Sequence, residues 1–264
     1  MEPDWLSKFR SEILANGAKA TCVVSEDADH RYQLRYAPFD HVAPGGSLTV
    51  VGTTPGNTQL EAAYRALQDA WEGGRSDEQA LRDAKKKAAF AGFAMRDRIT
   101  EMLEHFGIHH ALGASDAREL WKEHLHTTSV IPHAAFQQKA GKWRMFAGQF
   151  AEIQRAPFLY DCFKTLFVDR LTQLGGQMRF VALGPAALNA LQWCATDAKV
   201  IAEDQILGGF PHPSSAGGNQ VDYLLGKDAG PFDETNPMNH RLAWLDAQRE
   251  RLTRSVAAWR SHQR

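Results

Sequence analysis

Apolar positions recur along this chain at two spacings, and they predict strands and helices in turn. Residues 4–16 read as a short helix, and Tyr32-Gln-Leu-Arg-Tyr36 as a short strand. Residues 48–51, Leu-Thr-Val-Val, are apolar and β-branched, the mark of a buried strand. After a Gly/Pro turn, Leu60, Tyr64, Leu67 and Trp71 recur at helical spacing, and Gly73-Gly74 ends that helix. A second helix is predicted over 77–105, with Met95, Ile99, Met102, Leu103 and Phe106 as its stripe. Residues 113–120 read as a loop leading into a helix, and 126–131 as a strand stopped by Pro132. Helical patterns follow over 144–154 and 158–173. A strand at 178–183 closes on Gly184-Pro185, and a helix follows over 186–193. Residues 199–202 and 205–210 are two further strand candidates, 226–238 look irregular, and a last helix runs from about 239 to 259.

Strands that alternate with helices predict an α/β fold, with a mainly parallel sheet and helices on both faces. The 264 residues can bury a full core as one domain, residues 1–264, and they contain no repeat, low-complexity tract or clear linker.

Composition narrows the class without fixing it. Hydrophobic residues make up 44% and charged residues 23%, as in ordinary globular proteins. No apolar run reaches the ~20 residues of a membrane span. The N-terminus lacks an apolar signal core, so a cytoplasmic protein without a membrane partner is expected. Cys22, Cys162 and Cys194 are scattered, and neither a disulfide nor a structural zinc is expected. The net charge of −1 does not itself argue for nucleic-acid binding. The charge is uneven, however: residues 241–264 hold six Arg against two acids, and Lys85, Lys86 and Lys87 are adjacent. Each run is either a solvated helix face or a local phosphate-binding rim.

Two segments carry the chemistry. One is Leu48-Thr-Val-Val-Gly-Thr-Thr-Pro-Gly-Asn-Thr-Gln59, and the other is Gly209-Phe-Pro-His-Pro-Ser-Ser-Ala-Gly-Gly-Asn219. Each reads as a strand, a Gly/Pro turn and a helix start, which aims backbone N–H groups at one point. Together they resemble the paired motifs of the uracil-DNA glycosylase superfamily, Gly-x-x-Pro-Gly and His-Pro-Ser, with about 150 residues between them. The fold that the resemblance implies is three-layer α-β-α, with a central four-stranded, mainly parallel sheet. It covers about residues 35–225. With three cysteines the chain cannot supply the four thiolates of the iron–sulfur branch.

In that superfamily the second or third position of the first motif orients the hydrolytic water through Asp, Asn or Glu. Here those positions are Thr53 and Thr54, between Gly52 and Pro55. A Thr hydroxyl can hold a water but cannot take its proton at neutral pH. Gln59 is a further candidate to orient water, and Glu61 a candidate base or a solvated helix residue. His212, in the second motif, is the residue that the resemblance makes the donor to a departing base. Ser214, Ser215, Gly217 and Asn219 are the matching DNA-binding candidates.

Phe90-Ala-Gly-Phe-Ala94 resembles the segment whose Phe stacks on the flipped base, with an ordinary core residue as the other reading of Phe90. Thr127-Thr-Ser-Val-Ile131 resembles the strand whose Asn reads the base edge, and Ser129 stands at that position. His126 and His133 flank this strand. Residues 181–191 resemble the scaffold strand, turn and helix.

The resemblance therefore implies a monomeric, cofactor-free DNA glycosylase. It would hydrolyse the N-glycosidic bond of a flipped uracil-type or modified pyrimidine and leave an abasic site. No Lys lies in the motifs to act as a Schiff-base nucleophile. Two alternatives stand beside it. One is an anti-phage glycosylase that removes a bulky hydroxymethylated or glucosylated cytosine. The other is a nucleic-acid-binding module with little catalysis. A small-nucleotide enzyme is less supported, since no P-loop or GxGxxG is present.

Overall fold

The computed structural model describes residues 4–39, 47–91, 94–174, 177–214, 219–228, 230, 232 and 235–261. The predicted turn at 43–46, and with it Ser215 and Gly217, lies outside the described residues. In chain order the first elements are α1 (Trp5–Asn16), β1 (Val23–Glu26), β2 (Tyr32–Arg35), β3 (Leu48–Gly52), α2 (Asn57–Glu72) and α3 (Asp77–Ala88). Next come α4 (Met95–His105), α5 (Ile108–Ala111), α6 (Leu120–Glu123), β4 (Leu125–Ser129), β5 (Ala134–Lys139), β6 (Lys142–Met145), α7 (Phe150–Arg155) and α8 (Pro157–Cys162). The chain continues through α9 (Asp169–Gln173), β7 (Arg179–Leu183), α10 (Pro185–Thr196), β8 (Ile206–Phe210), α11 (Gln220–Leu224) and α12 (Leu242–Ser261). Among the described residues, no helix is long and apolar enough to cross a membrane.

The chain divides into two compact units, each assembled from separated segments. The first comprises Met1–Val42, Thr53–Gly92 and Thr128–Arg170. It holds an antiparallel sheet in the order β1-β2-β5-β6. The sequence pattern predicts only one of its strands in full, β2. The predicted helix over 144–154 is corrected: residues 142–145 form β6, and a helix begins only at Phe150. The hairpin turns on Ala140 and Gly141, both left-handed at φ 50 and φ 73. Left-handed pairs match the twist of a two-residue hairpin. Exposure of β5 from Gln138 onward removes the apolar alternation that would have marked it.

The core of this unit gathers Phe9 and Ile13 of α1, Tyr36, Phe136 of β5, and Tyr64, Leu67 and Trp71 of α2. Each such side chain, fully buried, contributes roughly 1.5–3 kcal/mol. The buried polar ends are paired. The Tyr64 hydroxyl donates to the Tyr36 carbonyl at 2.6 Å, and the Trp71 indole donates to Asp77 at 2.8 Å. Arg10 reaches the same carboxylate at 2.5 Å, so α1, α2 and the start of α3 meet there.

The second unit comprises Ala43–Gly52, Phe93–Thr127 and Leu171–Arg264. Its sheet runs β4-β3-β7-β8, with β3–β7 and β7–β8 parallel. Every residue of β3 and β8 is buried, as expected of strands covered on both faces. The predicted strand at 199–202 is corrected: it is irregular, with Lys199 at φ 54. The predicted helix over 77–105 is also corrected. It is two helices, α3 and α4, separated where Phe90 and Ala94 take φ 51 and φ 55.

Helix α12 seats against β8 with little space between them. A Cβ on Gly208, whose φ is +154, would lie 2.9 Å from Leu252. One on Gly209 would lie 3.1 Å from Trp244. The side chain of Gln248 accepts from the Gly209 N–H at 2.8 Å, and Arg251 donates to the Ile206 carbonyl at 3.1 Å. Gly208→Ala adds a side chain where backbone and neighbour both forbid it. It should lower the unfolding free energy by ~1–3 kcal/mol in urea titration, with the slope unchanged.

Candidate functional site

In the first unit the loop after β3 is laced to the loop after β4. The Ile131 N–H donates to the Thr53 carbonyl at 2.9 Å. The Thr54 hydroxyl donates to the His133 carbonyl at 2.9 Å and accepts from the Ala135 N–H at 2.9 Å. Thr54 is thus a staple, with its proton committed. The Thr53 hydroxyl bonds to no described residue, which leaves it as the hydroxyl of this loop that can hold a water. Pro55 is buried behind it.

Gly56 caps α2, and the Gln59 side chain accepts from its N–H at 3.1 Å. Gln59 is buried, and its oxygen serves this cap. Glu61 is exposed and accepts from the Asn57 amide at 2.5 Å, so it lies on the solvated face of α2. The first turn of α2 carries no acid, so its N–H dipoles are not neutralised locally.

Phe90 is buried at 9% exposure and holds the left-handed φ of 51. An aromatic residue there is uncommon and strained, the kind of outlier that marks functional positions. Ser129 ends β4 at 8% exposure, and its hydroxyl bonds to no described residue. His133 belongs to the core of the unit. It accepts at Nδ1 from the Ala37 N–H at 3.4 Å and meets the edges of Trp5 and Tyr36. His126 is buried within β4.

In the second unit β3 ends on buried Gly52, and β8 ends on Phe210. The Phe210 carbonyl accepts from the Gly184 N–H at 2.7 Å, and its ring stacks on Phe106 at 6.0 Å. This anchors the strand end from which His212 departs. The Ser214 N–H donates to His212 Nδ1 at 3.3 Å, and the Ser214 hydroxyl lies 2.8 Å from the same nitrogen. A backbone N–H can only donate, so Nδ1 is the acceptor and the neutral ring carries its proton on Nε2. Solvent reaches part of the residue, but the protein packed around the ring desolvates the charged form and lowers its pKa from the ordinary imidazole value. Protonation at Nδ1 would also break the bond from the Ser214 N–H, while the Ser214 hydroxyl would turn to accept.

Asn219 starts α11 and donates to Asp228 at 3.1 Å. The basic runs are partly spent on structure. Lys85 is buried and donates to the Phe39 carbonyl at 3.1 Å, and Arg249 and Arg251 bond backbone carbonyls. Lys86, Lys87, Arg254 and Arg260 are exposed. Burial pushes the Cys22 and Cys194 thiols up to about 12 and Cys162 to about 11, so none offers a ready thiolate. Among the described residues no three His, Cys, Asp or Glu converge to hold a metal ion.

Gln248 and Arg249 escape the motif-based reading. Their signal is a polar residue inside an apolar stripe, since Gln248 is buried in line with Leu245, Leu252, Val256 and Trp259.

Fold and strand-end chemistry together define a mixed α/β protein with one parallel sheet and a histidine beyond the carboxyl end of its last strand. The chain belongs to the same family as YoxB of Bacillus subtilis (strain 168), a protein described as uncharacterized. The two are 31% identical over 192 residues, which is 70% of this chain and 72% of YoxB. No family model matches the chain, and no solved structure matches it.

Two measurements test this geometry. Thr54→Val strands the Ala135 N–H and the His133 carbonyl and should cost ~1–3 kcal/mol of stability. Thr53→Val should stay within about 0.5 kcal/mol of wild type. Chemical denaturation of both variants reads the difference. The second measurement uses pH. With its folded pKa lowered, His212 binds fewer protons in the folded than in the unfolded chain once pH falls through ~6.5, so acid destabilises the fold. The unfolding midpoint of wild type should therefore fall more between about pH 7.5 and about pH 5.5 than that of His212→Gln. Parallel falls in the two proteins would contradict the lowered pKa.

Proposed function

We propose that this protein is a monofunctional DNA glycosylase. It hydrolyses the N-glycosidic bond of a flipped, damaged or modified base and leaves an abasic site without a cofactor. The observation that carries the reading is the His212 arrangement: an imidazole with lowered pKa, Nδ1 engaged by Ser214, and its Nε2–H left as the donor. Glycosidic cleavage leaves negative charge on the base and an oxocarbenium-like sugar. A preset donor facing that base lowers the barrier. The resemblance assigns the holding of the hydrolytic water to the position of Thr53, and an oxocarbenium-like sugar needs little nucleophilic push. By the same resemblance Phe90 is the stacking residue, and within each unit exposed basic side chains, Lys86 and Lys87 in the first and Arg254 and Arg260 in the second, are the candidates for phosphate contacts.

Ser129 bears on which base is taken. A short hydroxyl at the end of β4 replaces a branched amide and leaves room beside the base, which favours a bulky modified pyrimidine and a defence role. A second reading, a base-binding module without hydrolysis, is favoured by the commitment of Thr54 and Gln59 to structural bonds.

The test is cleavage at abasic sites over oligonucleotides that carry uracil, hypoxanthine, hydroxymethylcytosine or glucosylated hydroxymethylcytosine. His212→Ala should release base ~100-fold more slowly or worse while remaining folded. An unaffected rate in the folded variant removes the proposal. Binding without release by the wild type supports the second reading. Ser129→Asn should hold or raise uracil release and lower release of the bulky cytosine, and single-turnover rates on both substrates decide it.

A further inference from the structure

The stretch that carries His212 runs between β8 and α11, and one helix holds the chain on each side of it. Before His212, the buried side chain of Gln248 accepts from the Gly209 N–H at 2.8 Å. After it, Arg249 closes on the end of α11. Its Nε donates to the Leu224 carbonyl at 3.1 Å, and another guanidinium nitrogen donates to the Tyr223 carbonyl. The Arg249 guanidinium lies 5.0 Å from the Tyr223 ring centroid, and Asp246 ties the pair together. Asp246 accepts from the Tyr223 hydroxyl at 3.0 Å and from Arg249 at 3.2 Å. Adjacent residues on a helix point about 100° apart, so Gln248 and Arg249 can serve two different neighbours.

These bonds are made to backbone, so they fix the course of the chain more than the packing of any one side chain. The Gly209 N–H is a buried donor that β7 does not satisfy, and the Gln248 oxygen meets it. The carbonyls of Tyr223 and Leu224 lie at a helix end, where Tyr223 also accepts from the Gly226 N–H at 3.0 Å and Arg249 adds a side-chain donor to both. Gly208 and Gly209 let α12 approach closely enough to make the first contact. Arg251 repeats the theme at the Ile206 carbonyl, so α12 tracks β8 from its first residue to its fourth.

We infer that α12 is the positioning element for His212. Gln248 and Arg249 hold the chain before and after it, so that the imidazole keeps one orientation and one tautomer. As a statement about catalysis this rests on the glycosylase reading. As a statement about His212 it does not.

The experiment follows the imidazole nitrogens of His212 by nitrogen-15 NMR in the full chain, assigned by comparison with His212→Gln. The variants are Gln248→Met, Gln248→Glu, Arg249→Met and Arg249→Lys, each checked for folding by circular dichroism and thermal midpoint. In wild type His212 should show the Nε2–H tautomer alone. In folded Gln248→Met and Arg249→Met the signal should become a mixture of tautomers, and its titration midpoint should rise towards the ordinary imidazole value. Gln248→Glu keeps the acceptor and should restore the wild-type signal. Arg249→Lys keeps the charge but loses the two-carbonyl fork and should not restore it.

If the Met variants fail to fold, Arg249→Lys carries the test alone. A wild-type His212 spectrum and titration in any folded Met variant, or in Arg249→Lys, overturns the inference. With an active wild type, kcat for base release should fall ~10-fold in the Met variants with KM unchanged. A wild type that releases no base from any oligonucleotide removes the glycosylase reading and leaves the NMR result to decide the inference.

Discussion

The approach of α12 to β8 is the constraint on which the second unit depends. Two glycines in the middle of a buried strand would ordinarily weaken it. Here they let a helix come near enough for a side-chain amide to pair with the strand's own backbone. The outer edge of β8 is thereby covered by a helix, one of the few ways to satisfy an edge that cannot recruit another strand. The anchored end of β8 at Phe210 then fixes where the next residues leave the sheet, and the Ser214 N–H fixes how the His212 ring presents itself.

The first unit solves a similar problem with one hydroxyl. Thr54 both donates to and accepts from the backbone just after Pro132, so the loops beyond β3 and β4 cannot drift apart within it. This division of labour separates two adjacent threonines that look equivalent in sequence. The side chain of one is structural by its bonds, and the other joins the lacing through its carbonyl alone while its hydroxyl bonds to no described residue. The same separation applies to Gln59 and Glu61, which are spent on a helix cap and a solvated face.

Much of this was legible in the sequence, for identifiable reasons. The strands of the parallel sheet are short apolar runs bounded by Gly and Pro, and the pattern marks β3, β7 and β8. The helices α2, α10 and α12 follow from apolar spacing and their flanking turns. The antiparallel sheet was not legible beyond β2. β1 carries two intermediate valines and a register shift, and β5 begins Ala-Ala and ends in exposed Gln and Lys. The break between α3 and α4 was hidden because Phe90 and Ala94 take left-handed conformations that their side chains disfavour. At the candidate site, motif residues could be named in advance. Their commitments could not, because whether Thr53 or Thr54 is bonded depends on loops about eighty residues downstream.

The order of strands in the parallel sheet has a kinetic consequence. β3 is made early in the chain, yet Leu48 finds its partner in Arg179, and its other neighbour is β4. A strand that ends fully buried therefore waits without either neighbour until β4 is made, and its β7 edge stays open for roughly fifty residues more. Distant pairing of this kind pays loop-closure entropy before any contact rewards it, and it slows folding. Each ribosome-bound chain would pass through a window in which Val50 and Val51 are open to the wrong partner. Slow synthesis or heat at that stage lengthens this window and favours aggregation.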